Sequence, residues 1–290
     1  MGRRAKRTFF HARDFFPKTG MALYVSRTPR HADTGPHGHD FTELVIVFAG
    51  SGTHDADGEV YPLSAGDVFV IPQGARHSYR DTTDLALANI LFDERKLRLP
   101  VADLGELPGY HALFALEPRF RKEHGSRSRL RLGPDDLADA EGILGRLTQE
   151  LSAKPAGYRY AATTLLMELI VRLSRSYSTA RKPESRALLR IAKVLSYCET
   201  HYDEPVTLEQ LAGLARMSKS TLLRRFQAAL NTTPMAHLIA LRIRHASRLL
   251  RETDLTVTEI AFRTGFSDSN YFSRTFRAHT GTSPRAWRRG

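Results

Sequence analysis

Hydrophobic positions follow two different periods along this chain. Between residues 41 and 93 they gather in short runs rich in Val, Ile, Phe and Tyr, at 43–50, 59–63, 67–72 and 85–92, with Asp57-Gly58 and Ser64-Ala65-Gly66-Asp67 as turns between them. Short strands so spaced predict a sandwich or small barrel. Further on the spacing changes to three and four. Leu137, Ala140, Leu144, Leu147 and Leu151 form one stripe, and Tyr158, Ala162, Leu165, Leu169 and Leu173 a second after the Lys154-Pro155-Ala156-Gly157 turn. This is the spacing of a coiled-coil seam, so a helical hairpin is expected, either packed on the barrel alone or also pairing two protomers in a homodimer. Residues 178–186, rich in Arg, Lys, Ser and Pro, read as a flexible linker between a first domain at 18–177 and a second at 187–290.

The second domain contains an internal repeat. Leu211-Ala212 and Ser218 recur as Ile260-Ala261 and Ser267, and Arg224-x-Phe226 and Pro234 recur as Arg274-x-Phe276 and Pro284. Thr207-x-x-Gln210 and Thr256-x-x-Glu259 are capping-box sequences that open a short helix in each copy. Ser218 and Ser267 are suited to cap a second helix, and Asn231 and Gly281 to end it, since both residue types tolerate the left-handed conformation. Leu222, Phe226 and Leu230 in one copy, and Phe272 and Phe276 in the other, make an apolar stripe. The opposite faces carry Ser220, Thr221, Arg224 and Arg225, then Asp268, Ser269, Asn270, Ser273, Arg274 and Arg277. Two helices joined by a tight turn, the second with a basic and hydrogen-bonding face, are the helix-turn-helix arrangement, expected here at about 207–230 and 256–280. An amphipathic helix over 235–251, with apolar residues at 235, 239, 243, 246 and 250, would link the two units as a rod and set both second helices into successive major grooves.

Charge distribution agrees with that reading. The chain carries 43 Lys+Arg against 31 Asp+Glu, a formal net charge of +12. Before Pro183 there are 26 basic and 22 acidic residues, and from it onward 17 and 9, so the excess is +4 and then +8. Five of the early basic residues (Arg3, Arg4, Lys6, Arg7 and Arg13) sit in a start expected to be disordered, which leaves the barrel nearly neutral. A basic domain beside a neutral one points to a polyanion partner for the former. The longest apolar run, 44–49, is far short of the roughly 20 residues of a membrane-spanning helix. The basic start lacks the apolar segment of a secretory signal, and one cysteine, Cys198, excludes an intramolecular disulfide framework. A cytoplasmic protein is expected.

One constellation in the first domain is chemical. His37, His39 and Glu43 share parity, so on one extended strand they would share a face, and His77 on a later strand offers a third imidazole. Such a set suits a divalent transition metal such as zinc, iron, manganese or nickel. Hydrogen bonding to a polar effector without metal, or a purely structural role, are the alternatives.

Residues 187–290 resemble the DNA-binding domain of the AraC/XylS family of bacterial transcription factors. The carrying residues are Leu211-Ala212, Ser218, Phe226 and Pro234 in the first unit, and Ile260-Ala261, Gly265-Phe266-Ser267, Tyr271-Phe272-Ser273-Arg274-x-Phe276, Gly281 and Pro284 in the second. Asn231 stands where the family usually has glycine. The first domain resembles the two cupin motifs through His37-x-His39-x3-Glu43-x6-Gly50 and Gly66-x5-Pro72-x-Gly74-x2-His77, departing at His31 and Asp81. The phrases around His37, Gly66 and Gly265 are most similar to rhamnose-responsive members of the family. The fold so implied is α+β in two domains: a cupin-like β-barrel with a helical hairpin, then an all-α domain with two helix-turn-helix units. The resemblance further implies a double-stranded DNA partner, a monosaccharide effector, activation of transcription and contact with RNA polymerase. Candidate effector contacts are His37, His39, Glu43, Arg76, His77, Tyr79 and Asn89, although Tyr79 and Asn89 could be ordinary strand residues and Arg76 a solvated loop charge. The competing class is a metal-dependent cupin enzyme tethered to DNA.

Overall fold

The computed structural model describes residues 8–16, 20–97, 103–124 and 129–289. The chain divides into two compact units, Met1–Leu189 and Arg190–Gly290.

The first unit is built on two long strands, β4 (Thr42–Ala56) and β7 (Arg76–Phe92), which run antiparallel along their whole length. The remaining strands are β1 (Thr8–Phe10), β2 (Leu23–Thr28), β3 (His37–His39), β5 (Glu59–Ser64), β6 (Asp67–Ile71) and β8 (Leu130–Arg131). They form one eight-stranded sheet in the order β1-β3-β7-β4-β6-β8, with β2 on the free half of β7 and β5 on the free half of β4. The core holds Val45, Val47, Tyr61, Leu63, Phe69, Ile71, Tyr79, Leu85 and Leu87. The run at 85–92 is therefore the end of one continuous strand, not a strand of its own. Gly50 is required where β4 bends: its φ is 75°, and a Cβ there would lie 2.2 Å from the Asp84 carbonyl oxygen.

The helices of this unit are α1 (Ala12–Phe15), α2 (Glu94–Leu97), α3 (Pro108–Tyr110), α4 (Glu117–His124), α5 (Pro134–Ala153) and α6 (Tyr158–Ser178), with a π-helical turn at His111–Leu116 leading into α4. The start of the chain differs from expectation. Residues 1–7 lie outside the described residues, but β1 pairs in parallel with β3, and α1 packs Ala12 and Phe16 against Ala22, Phe41 and Leu91. Asp40 holds this segment, its Oδ1 accepting the Ala12 N–H at 2.6 Å and its Oδ2 lying 3.0 Å from His11 Nδ1. The sheet unit thus begins before residue 18. In the hairpin, α5 buries Ala140, Ile143, Leu144 and Leu147, and α6 buries Ala162, Leu166, Leu169, Ile170, Leu173 and Tyr177. Leu137, Leu151 and Leu165 are only half-buried, so the stripe on α6 runs through Leu166.

The expected linker 178–186 keeps only four non-helical residues, 179–182: α6 ends at Ser178 and α7 (Pro183–Thr200) begins five residues later, and the boundary between units falls within α7, after Leu189. The second unit continues with α8 (Leu208–Ala215), α9 (Lys219–Leu230), α10 (Pro234–Glu252), α11 (Val257–Arg263), α12 (Ser269–Thr280) and α13 (Pro284–Arg289). Both capping boxes are formed, Thr207 with Gln210 and Thr256 with Glu259. Asn231 and Gly281 end α9 and α12 in the left-handed region with φ of 53° and 78°. Along α10, Pro234, Leu238, Leu241, Ile243, Ala246 and Leu250 are buried, while Met235 and Ile239 are half-buried. The stripe at 235 and 239 is thus displaced to 234, 238 and 241 in the first half of the helix. Its second half packs Ile243, Ala246 and Leu250 with Ile260, Phe266, Phe272 and Phe276. The second half of this helix cores the second helix-turn-helix unit, and the whole, 19 residues and about 28 Å long, reaches back toward the first.

Candidate DNA interface and candidate effector site

Burial decides which faces of α9 and α12 are available. Leu222 and Phe226 on α9, and Phe272 and Phe276 on α12, are fully buried, which turns the opposite sides outward. Ser220, Arg224 and Arg225 on α9 and Asn270, Arg274 and Arg277 on α12 are exposed, and Thr221, Ser269 and Ser273 are half-exposed. None of the four arginines forms an ion pair with a described residue, whereas Lys219 at the start of α9 pairs with Glu209 of α8. Four unneutralised guanidinium groups on the outer faces of two helices are suited to phosphate oxygens and guanine edges.

At the helix starts one cap is the expected residue and the other is not. Ser218 caps α9, accepting the Thr221 N–H at 3.2 Å, and its hydroxyl also reaches Ser220 Oγ at 3.1 Å and Thr221 Oγ1 at 2.8 Å. The corresponding cap of α12 is Asp268, not Ser267: Asp268 Oδ1 accepts the Tyr271 N–H at 2.5 Å. The extra residue of the second copy shifts the cap by one, so Asp268 caps α12 through Oδ1 while the residue stays exposed. Tyr271, absent from the sequence reading as a contact, is 45% exposed beside Asn270 and Arg274. The turn before α12 depends on Gly265, whose φ is 81° and whose Cβ would stand 2.5 Å from the Tyr202 carbonyl oxygen. Arg242 locks the same corner, donating to the carbonyl oxygens of Tyr202 and Glu204, each at 2.7 Å.

Inside the sheet of the first unit, three of the four expected ligands converge. His39 Nε2 lies 3.2 Å from Glu43 Oε2, and His77 Nε2 lies 3.7 Å from the same oxygen, with all three residues buried. His39 and Glu43 do not share a strand, because a bend at Asp40 and Phe41 separates β3 from β4; His37 faces His77 across β3 and β7. His37 is half-exposed, its Nδ1 turned to the Gly35 carbonyl oxygen at 2.9 Å and its ring 4.1 Å from that of His77. It is therefore a neighbour of the cluster and not part of it. Arg76 is exposed outside, with its backbone N–H bonded to Asp57. Tyr79 is buried in the core beside His31 and His54, at ring separations of 4.6 and 4.9 Å. Asn89 is half-buried in β7 opposite Val45. Burial lowers the pKa of His31, keeping that imidazole neutral.

His54 and Tyr61 escaped the sequence reading. His54 Nε2 is 3.3 Å from His77 Nδ1, and its Nδ1 is hydrogen-bonded to the Tyr61 hydroxyl. The inward positions of β4 are odd at Glu43, Val45 and Val47, but register shifts between Val47 and Thr53 move the even-numbered His54 inward. Parity, the only sequence signal available, excluded it.

The donor set fits a metal ion. His39 Nδ1 is 2.7 Å from the Phe41 carbonyl oxygen, a bond that only Nδ1–H can donate, so a ring carrying that one proton would set a bare Nε2 lone pair against a carboxylate oxygen. A shared cation, proton or metal, resolves that opposition. Ligand atoms on one ion with bonds of about 2.1 Å stand about 3.0–3.4 Å apart, close to the 3.2 and 3.7 Å seen here.

Comparison with known proteins is consistent across the two units. Residues 211–290 match the family model described as a helix-turn-helix domain, and residues 19–170 match the AraC-like ligand binding domain. Over 276 residues the chain is 30% identical to the HTH-type transcriptional activator RhaR of Escherichia coli (strain K12), covering 95% of this chain and 94% of that one. The RhaR of Shigella boydii serotype 4 (strain Sb227) matches at the same 30% over the same shares. Among solved structures, the DNA-binding domain of AdpA in complex with a target DNA is 36% identical with a TM-score of 0.34, over 34% of this chain and 90% of that one.

Proposed function

This chain belongs to the AraC-like family of helix-turn-helix, DNA-binding transcription regulators with a ligand-binding domain, and on that premise we propose that it is a cytoplasmic, homodimeric activator switched by a monosaccharide of the rhamnose type. The similarity to transcriptional activators along nearly the whole chain carries the reading. Arg224, Arg225, Arg274 and Arg277 contact phosphates or guanine edges, while Ser220, Thr221, Ser269, Asn270 and Ser273 supply shorter hydrogen bonds. The effector lies among His39, Glu43, His77, Tyr79 and Asn89, with His37 at the rim, where hydroxyl groups of a polyol replace hydrogen bonds to water. A divalent metal on His39, Glu43 and His77 would supply Lewis-acid attraction for effector oxygens. The α5–α6 hairpin pairs two protomers, and the DNA-bound dimer contacts RNA polymerase. Effector binding shifts the population toward the state competent for activation. Regulation, and not turnover, is the activity.

A thermal-shift screen of the full chain against monosaccharides, followed by operator binding with and without the hit, tests this. A raised melting temperature with rhamnose and an altered operator affinity are expected. No response to any sugar, in melting or in DNA binding, overturns the effector assignment.

A further inference from the structure

We infer that Tyr61 and His54 are positioning residues: they form a hydrogen-bonded chain that sets the tautomer of His77 and so completes, with His39 and Glu43, a three-ligand centre for a divalent transition metal. The inference rests on the barrel being the effector site and goes beyond it in assigning the two residues that build the centre.

The chain has a definite polarity. His39 already shows the pattern, with Nδ1–H donated to the Phe41 carbonyl oxygen and Nε2 left to face Glu43. His77 repeats it with a side-chain acceptor. Its Nδ1 meets His54 Nε2 at 3.3 Å, and His54 Nδ1 meets the Tyr61 hydroxyl. With His77 Nδ1–H donating to His54, and His54 Nδ1–H donating to the phenol oxygen, His77 Nε2 carries a lone pair toward the centre. The opposite polarity would put a proton on His77 Nε2, facing Glu43 Oε2 at 3.7 Å, which is longer than a hydrogen bond. The three ligand atoms lie within 4.8 Å of one another. Outer-shell partners of this kind orient a metal-binding imidazole and raise its basicity.

The outer end of the chain is itself fixed. Arg129 lies over the Tyr61 ring at 4.4 Å and pairs with Asp67 at 3.3 Å. His54 is fully buried and packs on Phe69 at 4.8 Å and Tyr79 at 4.9 Å, so its ring has little room to turn. His37 stays outside the ligand set, and an ion held by three protein ligands would leave room for oxygens of a polyol.

The experiment is a titration of chelator-treated full-length protein with Co(II), read by its visible absorption and by competition with a chelator of known affinity. Wild type and His37→Ala are expected to bind one Co(II) per chain with the same spectrum, and Glu43→Gln and His77→Gln to bind none. Tyr61→Phe and His54→Phe are expected to weaken binding by about 10- to 100-fold and to shift the absorption bands. His54→Gln, whose carboxamide can accept from His77 and donate to Tyr61, is expected to restore most of the affinity. Nitrogen NMR of the histidines in the metal-free protein provides a second reading: wild-type His77 should be protonated on Nδ1. Wild-type affinity and spectrum in both Tyr61→Phe and His54→Phe, protonation of His77 on Nε2, or absence of Co(II) binding by wild type would each overturn the inference. Operator binding is measured in parallel, so absent Co(II) binding with intact DNA affinity removes the metal centre and leaves the regulator reading standing.

Discussion

Asp268 Oδ1 accepts the backbone N–H of Tyr271 at 2.5 Å, making a carboxylate the cap of α12 where Ser218 caps α9. Asp268→Ala is expected to cost about 1 kcal/mol by loss of the cap, and Asp268→Ser to cost much less. Trp287, the single tryptophan of the chain, packs 5.9 Å from Phe276, so its fluorescence during denaturation reports this helix-turn-helix unit. Equal midpoints for Asp268→Ala and wild type would remove Asp268 from the capping role.

Arg224 is expected to read a base and Arg277, at the far end of α12, a phosphate. Arg224→Ala should relax preference at one base pair by about 1–3 kcal/mol, while Arg277→Ala should weaken all sequences alike and lower the salt slope of binding by about 1. A binding array at several salt concentrations separates the two. Unchanged base preference in Arg224→Ala would contradict the assignment.

Gly265 and Gly281 both adopt positive φ, at 81° and 78°, but only Gly265 has a carbonyl oxygen in the way of a Cβ. Gly281→Ala is expected to cost about 1 kcal/mol from the left-handed backbone alone. Gly265→Ala should cost more, because the Tyr202 carbonyl or Arg242 has to move as well. Trp287 fluorescence measures both, and similar losses at the two sites would argue against the close approach.

His245 stacks on Tyr202 at 3.8 Å, and its pKa falls from an ordinary 6.5 to about 4, chiefly through burial, with Arg248 and Arg244 adding repulsion. Between those two values the unfolded chain takes up a proton that the folded chain does not. Stability from this group is therefore complete above about pH 6.5 and lost as pH falls toward 4. His245→Phe should lose less stability than wild type over that window in denaturation followed at Trp287. Parallel curves for the two proteins would exclude the histidine as a source of the slope.

Cys198 is fully buried in α7, and burial pushes its thiol pKa up to about 12. In the folded protein it should resist a disulfide reagent at pH 8 and react only at the rate at which α7 opens. Fast labelling without denaturant would show that α7 is open in solution.

The second unit was largely legible from the sequence because its signals are local. A capping box needs residues three apart, and a helix stripe needs only the helical period, so Thr207, Thr256, Phe226, Phe272 and Phe276 stood where their spacing put them. Two misses there share one cause: where several apolar or capping residues are adjacent, packing chooses among them. That choice moved the buried positions of α10 to Pro234, Leu238 and Leu241 and gave the cap of α12 to Asp268 instead of Ser267.

The barrel cluster shows the opposite balance. By itself the sequence picked out His39, Glu43 and His77 as candidates for one cluster through parity and motif spacing, although it set His39 and Glu43 on a single strand. Only the tertiary structure decided the membership: His37 stands aside, Arg76 points to solvent, and His54 and Tyr61 enter. A bulge in a strand reverses the facing of every residue beyond it, and a residue count along the chain contains no record of where the partner strand slips. The basic helices of the candidate DNA interface are written in periods of a few residues, whereas the candidate inner site is written in the register between β4 and β7.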